Sequence, residues 1–301
     1  MRTLRRCLLA LTLCLAVRAH PARPAPGPAA PVSARRVLIV SVDGLRPDIA
    51  LRASMPTLRS LMRAGSFTFY AQTTDLAVTL PSHVSMLTGN PPEVHGVTWN
   101  DDGPTLRVPR VPTLFALAHA AGRTTALVSG KSKFSVFERA GGLDWSAVRG
   151  QLSDEEVADR AVELIRQHRP EVLVVHLPAH DATAHAQGWG SPASLRAAEA
   201  ADAALGRVLA ALEEAKVLGE TLVIVTADHG GAGKNHGGLD PRSRLIPWIA
   251  AGPGVVAGLD LTLEPALVVH TEDTFATALQ FLGLPLPAPC AGRPVEEAFG
   301  R

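Results

Sequence analysis

Three apolar stretches of this chain run into segments that contain aspartate, and two of these segments also contain histidine. Their residues are nearly all β-branched or aliphatic, a composition typical of strands buried on both faces of a mostly parallel sheet. The stretches span residues 37–42, 172–177 and 221–226. Because ligands bind outside the carboxyl ends of strands in open α/β sheets, polar residues placed there predict a functional site. Helix capping could explain one of these acids, but it does not explain acidic segments at three equivalent positions, two of them with histidine.

The rest of the chain alternates between short strand patterns and amphipathic helix patterns. Further strands are predicted at residues 124–129 and 248–251, and helices at residues 55–64, 113–121, 154–167, 193–215 and 271–282. Ser153 and Glu156 form a capping-box pattern at the start of one helix, and Thr271 is placed to cap another. This alternation predicts a doubly wound α/β fold, with helices flanking both faces of a mostly parallel central sheet. We find no internal repeat, so residues 35–301 are predicted to form a single domain.

The N-terminal residues have the features of a secretory signal. Residues 2–6 include three arginines, and residues 7–17 form an apolar run that is too short to span a bilayer comfortably. We therefore expect residues 1–19 to be a signal peptide that directs export, with no stable membrane span after processing. A Pro/Ala-rich spacer at residues 20–34 would follow. An uncleaved anchor and a lipid anchor on Cys14 are the alternatives.

The charge of the chain is unevenly placed. Four arginines precede residue 20 and no acid does, so residues 20–301 carry 25 basic and 28 acidic side chains. This mildly acidic body argues against nucleic acid as a bulk partner, because binding to a phosphate backbone needs a clustered basic face. A small anionic substrate would have to be held by local positive charge, such as metal ions.

The polar residues at the predicted strand ends are of types that bind zinc and related divalent metals. Asp181 and His185 are spaced i, i+4, which puts both side chains on one face if the segment is helical. Asp228 and His229 are adjacent, so in extended chain their side chains point to opposite sides, which suits two neighbouring metals. His236 follows in a glycine-rich loop that can fold back to the same edge. A lone histidine is more often structural, but the joint pattern favours a metal site.

Short motifs connect these residues along the chain. They are Val-Ser-Val-Asp43-Gly-Leu-Arg-Pro-Asp, Thr79-Leu-Pro-Ser-His83, Asp181-x3-His185-x2-Gly188, Ala-Asp228-His229-Gly-Gly and Asn-His236-Gly-Gly. In this order they resemble the alkaline phosphatase superfamily, specifically its branch of type I phosphodiesterase/nucleotide pyrophosphatase-like enzymes. The resemblance continues through Ile246-Pro-Trp-Ile-Ala-Ala-Gly-Pro-Gly254 and Asp273-Thr-Phe-Ala-Thr277 and so spans roughly residues 36–298. Each motif alone is a modest signal, whereas the ordered series is highly specific.

This resemblance implies an alkaline phosphatase-like catalytic domain that uses two divalent metal ions, with Zn²⁺ as the expected metal. Each ion would have three carboxylate and imidazole ligands: Asp181, His185 and His236 for one, and Asp43, Asp228 and His229 for the other. The second ion would also contact the hydroxyl of Thr79. Two ions roughly 4 Å apart can stabilise both the attacking and the leaving oxygen of a phosphoryl transfer.

Thr79 is the nucleophile that the resemblance implies. A threonine hydroxyl is a weak nucleophile at neutral pH, and metal coordination is a recognised way to activate it. Attack on phosphorus would form a phospho-threonine intermediate that water then hydrolyses. Pro81 is acceptable at a first helical position, so Thr79 would lie near the positive end of a helix, where phosphates bind. A plain N-cap is the alternative for Thr79, while catalysis by Ser82 and His83 is disfavoured because the chain has no nucleophile-elbow motif.

Three further residues are predicted to bind the substrate. Asn100 matches a family asparagine whose amide donates to a non-bridging phosphate oxygen. Lys131 and Lys133 resemble a Lys-x-Lys/Arg element of branch members that act on phosphate monoesters and on phosphonoacetate; ordinary surface lysines are the alternative. Because a dianionic monoester carries more charge than a diester, these cations tilt the choice towards a monoester. Trp99 and Trp189 are assigned to the core rather than to the substrate site.

The sequence therefore predicts a metal-dependent phosphoric ester hydrolase acting on a small phosphorylated substrate. A phosphodiesterase or nucleotide pyrophosphatase and a phosphonoacetate-type hydrolase are alternatives, as are a metal-binding protein without turnover and a mutase. Mutases of the superfamily usually carry an inserted cap domain, and the roughly one hundred residues between Thr79 and Asp181 leave little room for one. His176 and His180 are left outside the predicted ligand set.

Overall fold

The computed structural model describes residues 35–101, 107–264 and 266–300. Within these residues, eight strands form a single sheet. The predicted signal peptide and spacer, residues 1–34, lie outside this part of the chain. The strands are β1 (Arg36–Val42), β2 (Ser66–Gln72), β3 (Thr125–Ser129), β4 (Trp145–Val148), β5 (Val172–Leu177), β6 (Thr221–Thr226), β7 (Leu245–Ala251) and β8 (Leu259–Asp260). Their order across the sheet is β4-β3-β5-β1-β6-β7-β2-β8.

The sheet is mostly parallel. The run from β4 through β3, β5 and β1 to β6 is parallel throughout, and β7 pairs antiparallel with both β6 and β2. In β5 and β6 every residue is buried, and in β1 only Arg36 is partly exposed. Residues buried on both faces explain why these three strands are continuous apolar runs.

Helices cover the sheet in two groups. The helices are α1 (Pro47–Arg52), α2 (Pro56–Ala64), α3 (Thr79–Thr88), α4 (Pro92–His95), α5 (Leu114–Ala120), α6 (Ser135–Ala140), α7 (Asp154–His168), α8 (Ala179–Gln187), α9 (Pro192–Glu214), α10 (Pro241–Arg244) and α11 (Asp273–Leu282). Helices α1, α2 and α7 pack around α9, whereas α3 and α5 pack around α11, and both α9 and α11 contact β1. The predicted doubly wound α/β fold is confirmed. No described helix combines the length and the apolar character needed to cross a membrane.

The central elements agree with the sequence predictions, and the peripheral ones do not. Strands β2, β4 and β8 were not predicted. β4 and β8 are the two edge strands, short and at least partly exposed, so they carry no continuous apolar run. The capping box of Ser153 and Glu156 at the start of α7 is confirmed. The predicted cap at Thr271 is wrong, because Glu272 occupies the N-cap of α11 without a side-chain hydrogen bond.

Candidate active site

The carboxyl ends of β5, β1 and β6 meet at one edge of the sheet because these strands are direct neighbours. Asp43 follows β1 at once, and its backbone N–H donates to the carbonyl of Leu177 at the end of β5, over 3.0 Å. The backbone N–H of Gly44 donates to Oδ1 of Asp228, also over 3.0 Å, so the segment after β6 is tied to the segment after β1. The strand ends therefore hold Asp43 and Asp228 side by side with no exposed side-chain surface.

We call Asp43, Asp228 and His229 the inner group. All three side chains are fully buried. Nε2 of His229 lies 3.5 Å from Oδ1 of Asp43 and 3.2 Å from Oδ2 of Asp228. Two donor atoms that bind one tetrahedral zinc ion at about 2.0–2.2 Å lie about 3.3 Å apart, so these separations suit a shared metal ion.

We call Asp181, His185 and His236 the outer group. Helix α8 places Asp181 and His185 one turn apart, as their spacing predicts, with Oδ1 of Asp181 3.3 Å from Nε2 of His185. His236 is brought back by a loop closed by hydrogen bonds between Ala232 and Asn235, and its Nε2 lies 3.8 Å from the same oxygen. The side chain of His185 is 42% exposed, so the outer group borders on solvent.

The division of ligands differs in one respect from the one that the resemblance implies. The donor atoms of Asp181, His185 and His236 lie within 4.8 Å of one another, as expected for one site. The corresponding second set joins Asp43 and His229 to Asp181 rather than to Asp228. Asp181 thus lies between the two groups. Asp228 contacts the rest of the inner group through Nε2 of His229.

The histidines of the two groups share a feature suited to metal binding. Each donates Nδ1–H to a backbone carbonyl, which fixes the tautomer and leaves Nε2 with a lone pair directed at the carboxylates. The acceptors are the carbonyls of Lys234 for His185 (2.9 Å), Gly230 for His229 (2.8 Å) and Ala77 for His236 (2.9 Å). Burial, followed by the neighbouring His236, lowers the pKa of His229 to about 4, which keeps this imidazole neutral and able to bind a cation at neutral pH.

Three other buried histidines near the site use both ring nitrogens within the protein. His83 bridges the backbone carbonyl of Thr79 and the hydroxyl of Ser41. His176 bridges Oδ2 of Asp43 and the hydroxyl of Ser129. His180 bridges the backbone carbonyl of Asp43 and the hydroxyl of Ser194. These rings have no nitrogen left for a metal ion. Leaving His176 and His180 outside the predicted ligand set agrees with these contacts.

Three buried carboxylate oxygens of the site accept no hydrogen bond from any described residue. They are Oδ1 of Asp43, Oδ1 of Asp181 and Oδ2 of Asp228. A buried acceptor without a donor is costly, since it has lost its water and gained nothing in return. Burial and the charge of Asp43 raise the pKa of Asp228 well above its usual value. The unpaired carboxylate oxygens, the Nε2 atoms that offer a lone pair and the distances between these ligand atoms together fit divalent cations bound at this edge of the sheet.

The ammonium of Lys131 is the cation that the structure places among these carboxylates. Nζ lies 2.7 Å from Oδ2 of Asp43 and 2.7 Å from Oδ2 of Asp181. Burial opposes ionisation of Asp43, but Lys131 and the hydrogen bond from His176 outweigh it and hold the pKa of this carboxyl well below its usual value. Three carboxylates face one ammonium here, so the site retains an excess of negative charge that divalent cations would balance.

Thr79 is the first residue of α3 and lies directly at the inner group. Its hydroxyl oxygen is 3.3 Å from Nε2 of His229 and 3.5 Å from Nζ of Lys131. Val78 is the N-cap of this helix, so the plain N-cap interpretation of Thr79 is wrong. Pro81 is the third helical residue rather than the first. The hydroxyl of Thr79 is therefore free of a capping role and lies at the positive end of a ten-residue helix.

Asn100 and Lys133 lie beside the start of α3. Oδ1 of Asn100 accepts a hydrogen bond from the backbone N–H of Leu80 over 2.8 Å. The ammonium of Lys133 donates to the backbone carbonyl and to Oδ1 of Asn100, the latter over 3.2 Å. The two predicted substrate lysines thus have different neighbours, because Lys131 contacts the metal-type carboxylates and Lys133 contacts Asn100.

Sequence reasoning gave no role to several residues that support the site. His176 is a polar residue within the otherwise apolar strand β5, and that exception was the signal that could have marked it. The indole N–H of Trp189 donates to the carbonyl of Gly44 over 2.8 Å, and its ring meets the edges of His185 and His236. A Cβ on Gly231 would lie 2.4 Å from this indole, so the glycine lets Trp189 pack against the strand ends.

Comparison with known proteins agrees with this geometry. The family model described as type I phosphodiesterase / nucleotide pyrophosphatase matches residues 37–108 and 121–240, which include every predicted site residue. The chain is 33% identical over 151 residues to a 2,3-bisphosphoglycerate-independent phosphoglycerate mutase of Shewanella denitrificans, an alignment covering 48% of this chain and 26% of the mutase. The chain thus spans about a quarter of the length of the curated relatives it matches.

Solved structures share the fold at low sequence identity. Murine ectonucleotide pyrophosphatase/phosphodiesterase 5, as an inactive variant in complex with AMP, is similar with a TM-score of 0.72 and 15% identity, covering 88% of this chain and 98% of that one. A phosphonate monoester hydrolase from Silicibacter pomeroyi is similar with a TM-score of 0.66 and 17% identity, covering 89% and 77%.

Proposed function

This chain belongs to the type I phosphodiesterase/nucleotide pyrophosphatase family of the alkaline phosphatase superfamily, and we propose that it is a metal-dependent hydrolase of small phosphate esters with Thr79 as nucleophile. The main support for this proposal is the position of the Thr79 hydroxyl. It lies at the start of α3, 3.3 Å from Nε2 of the inner histidine His229 and 3.5 Å from the ammonium of Lys131, which itself contacts Asp43 and Asp181. A hydroxyl at this position can attack a phosphorus atom held by the helix N-terminus and by cations.

Two divalent ions, with zinc as the proposed metal, would be held by the inner and the outer group. When bound, such ions lower the pKa of a coordinated hydroxyl and neutralise the charge on the attacking and leaving oxygens. The contacts of the three histidines support this assignment, because each ring is fixed through Nδ1 and offers Nε2. Asp181, which lies between the two groups, would keep the two sites close together.

The reaction that we propose has two steps. The Thr79 oxygen gives its proton to water and bonds to phosphorus, while the bond from phosphorus to the ester oxygen breaks and the departing alkoxide takes up a proton from water. Water then attacks the phospho-threonine, which restores the Thr79 hydroxyl and releases phosphate. His83 donates from Nδ1 to the backbone carbonyl of Thr79 over 2.8 Å and so helps to hold the backbone that carries the nucleophile.

A monoester is the substrate class that the charges favour. Lys131 lies 3.5 Å from the Thr79 hydroxyl, and salt-bridge partners on two sides keep it ionised. An ammonium this close to the nucleophile can pair with the additional negative charge that a monoester carries and a diester lacks. The amide of Asn100 is proposed to donate to a non-bridging oxygen of either ester. We also propose that residues 1–19 direct export; the mass of the exported protein would report whether they are removed.

The test compares nitrophenyl phosphate monoester and diester on the zinc-loaded protein and on its Thr79→Ala variant. We expect the variant to lose activity by on the order of 10³-fold or more, because the nucleophile is absent while every other ligand stays in place. Thr79→Ser keeps a hydroxyl and is the matched control, and bound metal is measured in each protein. Lys131→Ala should reduce turnover of the monoester more than that of the diester.

Four outcomes would count against the proposal. Full activity of Thr79→Ala would exclude this residue as nucleophile. Inert esters together with cleavage of phosphonoacetate would favour a phosphonate hydrolase, and no cleavage of any of the three would favour a metal-binding protein without turnover. Fewer than two bound metal ions in fully active protein would exclude the two-metal mechanism.

A further inference from the structure

Lys133 and Asn100 form a contact between two segments that are separate in sequence. Lys133 lies in the turn of 3₁₀ helix at Ser132–Phe134 that follows β3, and Asn100 lies between α4 and α5. The ammonium of Lys133 donates to the backbone carbonyl of Asn100 and, over 3.2 Å, to its side-chain Oδ1. The backbone N–H of Leu80, the residue after the proposed nucleophile, donates to the same Oδ1 over 2.8 Å.

This contact determines which way the amide of Asn100 faces. The two ends of an asparagine amide are usually distinguished only by their hydrogen-bond partners. Here both partners, an ammonium and a backbone N–H, can only donate, so the atom between them is the carbonyl oxygen. The NH₂ group is therefore the end turned away from Lys133 and Leu80, and it is the end that can donate to a phosphate oxygen.

The charge of Lys133 also changes the strength of that donor. A hydrogen bond from a charged donor is stronger than a neutral one, and it polarises the amide that accepts it. A polarised amide carries more positive charge on its N–H groups. Lys133 can thus improve the donor that Asn100 offers to a substrate without touching the substrate.

We propose that Lys133 is a positioning residue that acts through Asn100, by orienting and polarising its side-chain amide, rather than a direct phosphate ligand. The proposal rests on the proposed function of the Thr79 site. It separates the two lysines of the Lys131-Ser-Lys133 element by role. The ammonium of Lys131 contacts the hydroxyl of Thr79 and two carboxylates of the metal groups, and it is placed to form an ion pair with the substrate phosphate.

Two consequences distinguish positioning from direct binding. A residue that acts only through Asn100 has no effect once the Asn100 side chain is removed, whereas a direct ligand retains its own effect. A non-bridging oxygen is present in monoesters and diesters alike, so loss of Lys133 should weaken both substrates equally. Loss of a direct ion pair would instead weaken the dianionic monoester more.

The experiment is a double-mutant cycle with Lys133→Met and Asn100→Ala, each alone and combined, on nitrophenyl phosphate monoester and diester. We expect Lys133→Met to reduce kcat/KM about tenfold on both esters, an effect the size of one charge-assisted hydrogen bond. In the Asn100→Ala background the same substitution should change kcat/KM by less than about twofold. Lys133→Arg, which can still donate to both Asn100 oxygens, should recover part of the loss.

Lys131→Met in the same two backgrounds is the matched control, and its effect should be equal in both. The proposal is overturned if the loss of kcat/KM in the double variant equals the product of the losses in Lys133→Met and Asn100→Ala. It is also overturned if Lys133→Met impairs cleavage of the monoester but not of the diester. Thermal unfolding of each variant checks folding, and Lys133→Gln replaces the methionine variant if that one does not fold.

A wild-type protein that cleaves neither ester would contradict the proposed function but would leave the positioning proposal testable. In that case the readout is binding of inorganic phosphate to the metal-loaded protein by calorimetry. Lys133→Met should then weaken phosphate binding in the wild-type background and leave it unchanged in the Asn100→Ala background. Equal weakening in both backgrounds would overturn the proposal.

Discussion

The inner and outer metal groups are held by different parts of the fold. Asp43 and Asp228 directly follow two neighbouring central strands, and the backbone of Gly44 ties them together. The outer group is built on a nine-residue helix and on a glycine-rich loop that forms hydrogen bonds with Leu76 and Ala77 where it returns to the site. Inner side chains are fully buried, whereas His185 is 42% exposed.

This difference has a physical consequence for metal binding. Buried ligands on strand ends cannot move apart without disturbing the sheet, so the inner group is preorganised and loses little entropy when a cation binds. The same burial makes its carboxylates costly without a partner. The outer ligands can relax into solvent, so we expect the outer ion to exchange faster and to depend more on the metal concentration.

The largest effect should come from removing one ligand from each group. Asp228→Asn keeps the oxygen that accepts from Gly44 but removes one of the two inner carboxylates, and we expect a loss of kcat/KM on the order of 10³-fold that added zinc does not reverse. His185→Asn in the outer group should cost roughly 10–100-fold and recover with excess zinc. Activity titrated against free zinc measures both. An equal, irreversible loss for His185→Asn would contradict the comparison.

A smaller effect should come from His176, which touches only the inner group. Its Nε2 donates to Oδ2 of Asp43 over 2.8 Å, which turns the unpaired Oδ1 towards His229. His176→Ala should therefore weaken the tighter of two zinc affinities by roughly 10–100-fold and leave the weaker one unchanged. Competition with a chelating dye measures both affinities.

His180→Ala is the control for His176, because His180 is equally buried but contacts the backbone carbonyl of Asp43 instead of its carboxylate. This variant should lower stability without a selective effect on either zinc affinity. If both histidine variants weaken the same affinity equally, the contact with the carboxylate is not what orders the inner group.

The smallest effect concerns the support of the outer group and appears as a pH dependence of stability. Asp154 accepts the backbone N–H of Ala179 at the start of α8, over 2.9 Å, and burial raises its pKa to about 6 from 3.8. The folded chain therefore keeps a proton on this carboxyl that the unfolded chain loses above about pH 4. Below about pH 4 both states carry the proton, and the stabilising contribution of this carboxyl is fully present. As the pH rises to about 6 the unfolded chain is favoured by ionisation, so the free energy of unfolding falls.

Asp154→Asn keeps the acceptor for Ala179 but cannot ionise. Metal-free Asp154→Asn should be more stable than metal-free wild type at pH 8 by up to about 3 kcal/mol, and the difference should shrink towards zero at pH 4. Urea unfolding at both pH values measures it. Glu272→Gln, at a partly buried carboxyl of pKa about 7 outside α8, should show the same sign without changing zinc affinity. A stability difference that is equal at both pH values would contradict the assignment.

The sequence predicted the middle of the sheet better than its margins. The predicted bounds of the strands at β1, β3, β5 and β6 agree with the structure to within one residue, because burial on both faces imposes a continuous apolar run. β2 lies between an antiparallel and a parallel neighbour and alternates in burial, and its pairing depends on residues far along the chain. The start of α3 was placed two residues late, since Pro81 is tolerated anywhere in a first turn.

The sequence by itself determined which chemistry collects at one edge of the sheet. Acids and histidines that directly follow buried parallel strands must lie at the carboxyl edge, because strand direction and order bring those ends together. At the site, only the family resemblance separated the ligand histidines from the others, because the sequence pattern does not show which ring nitrogens are free. The tertiary structure separates three that offer Nε2 from three that use both nitrogens, because that choice depends on which carbonyls and hydroxyls the folded backbone places around each ring.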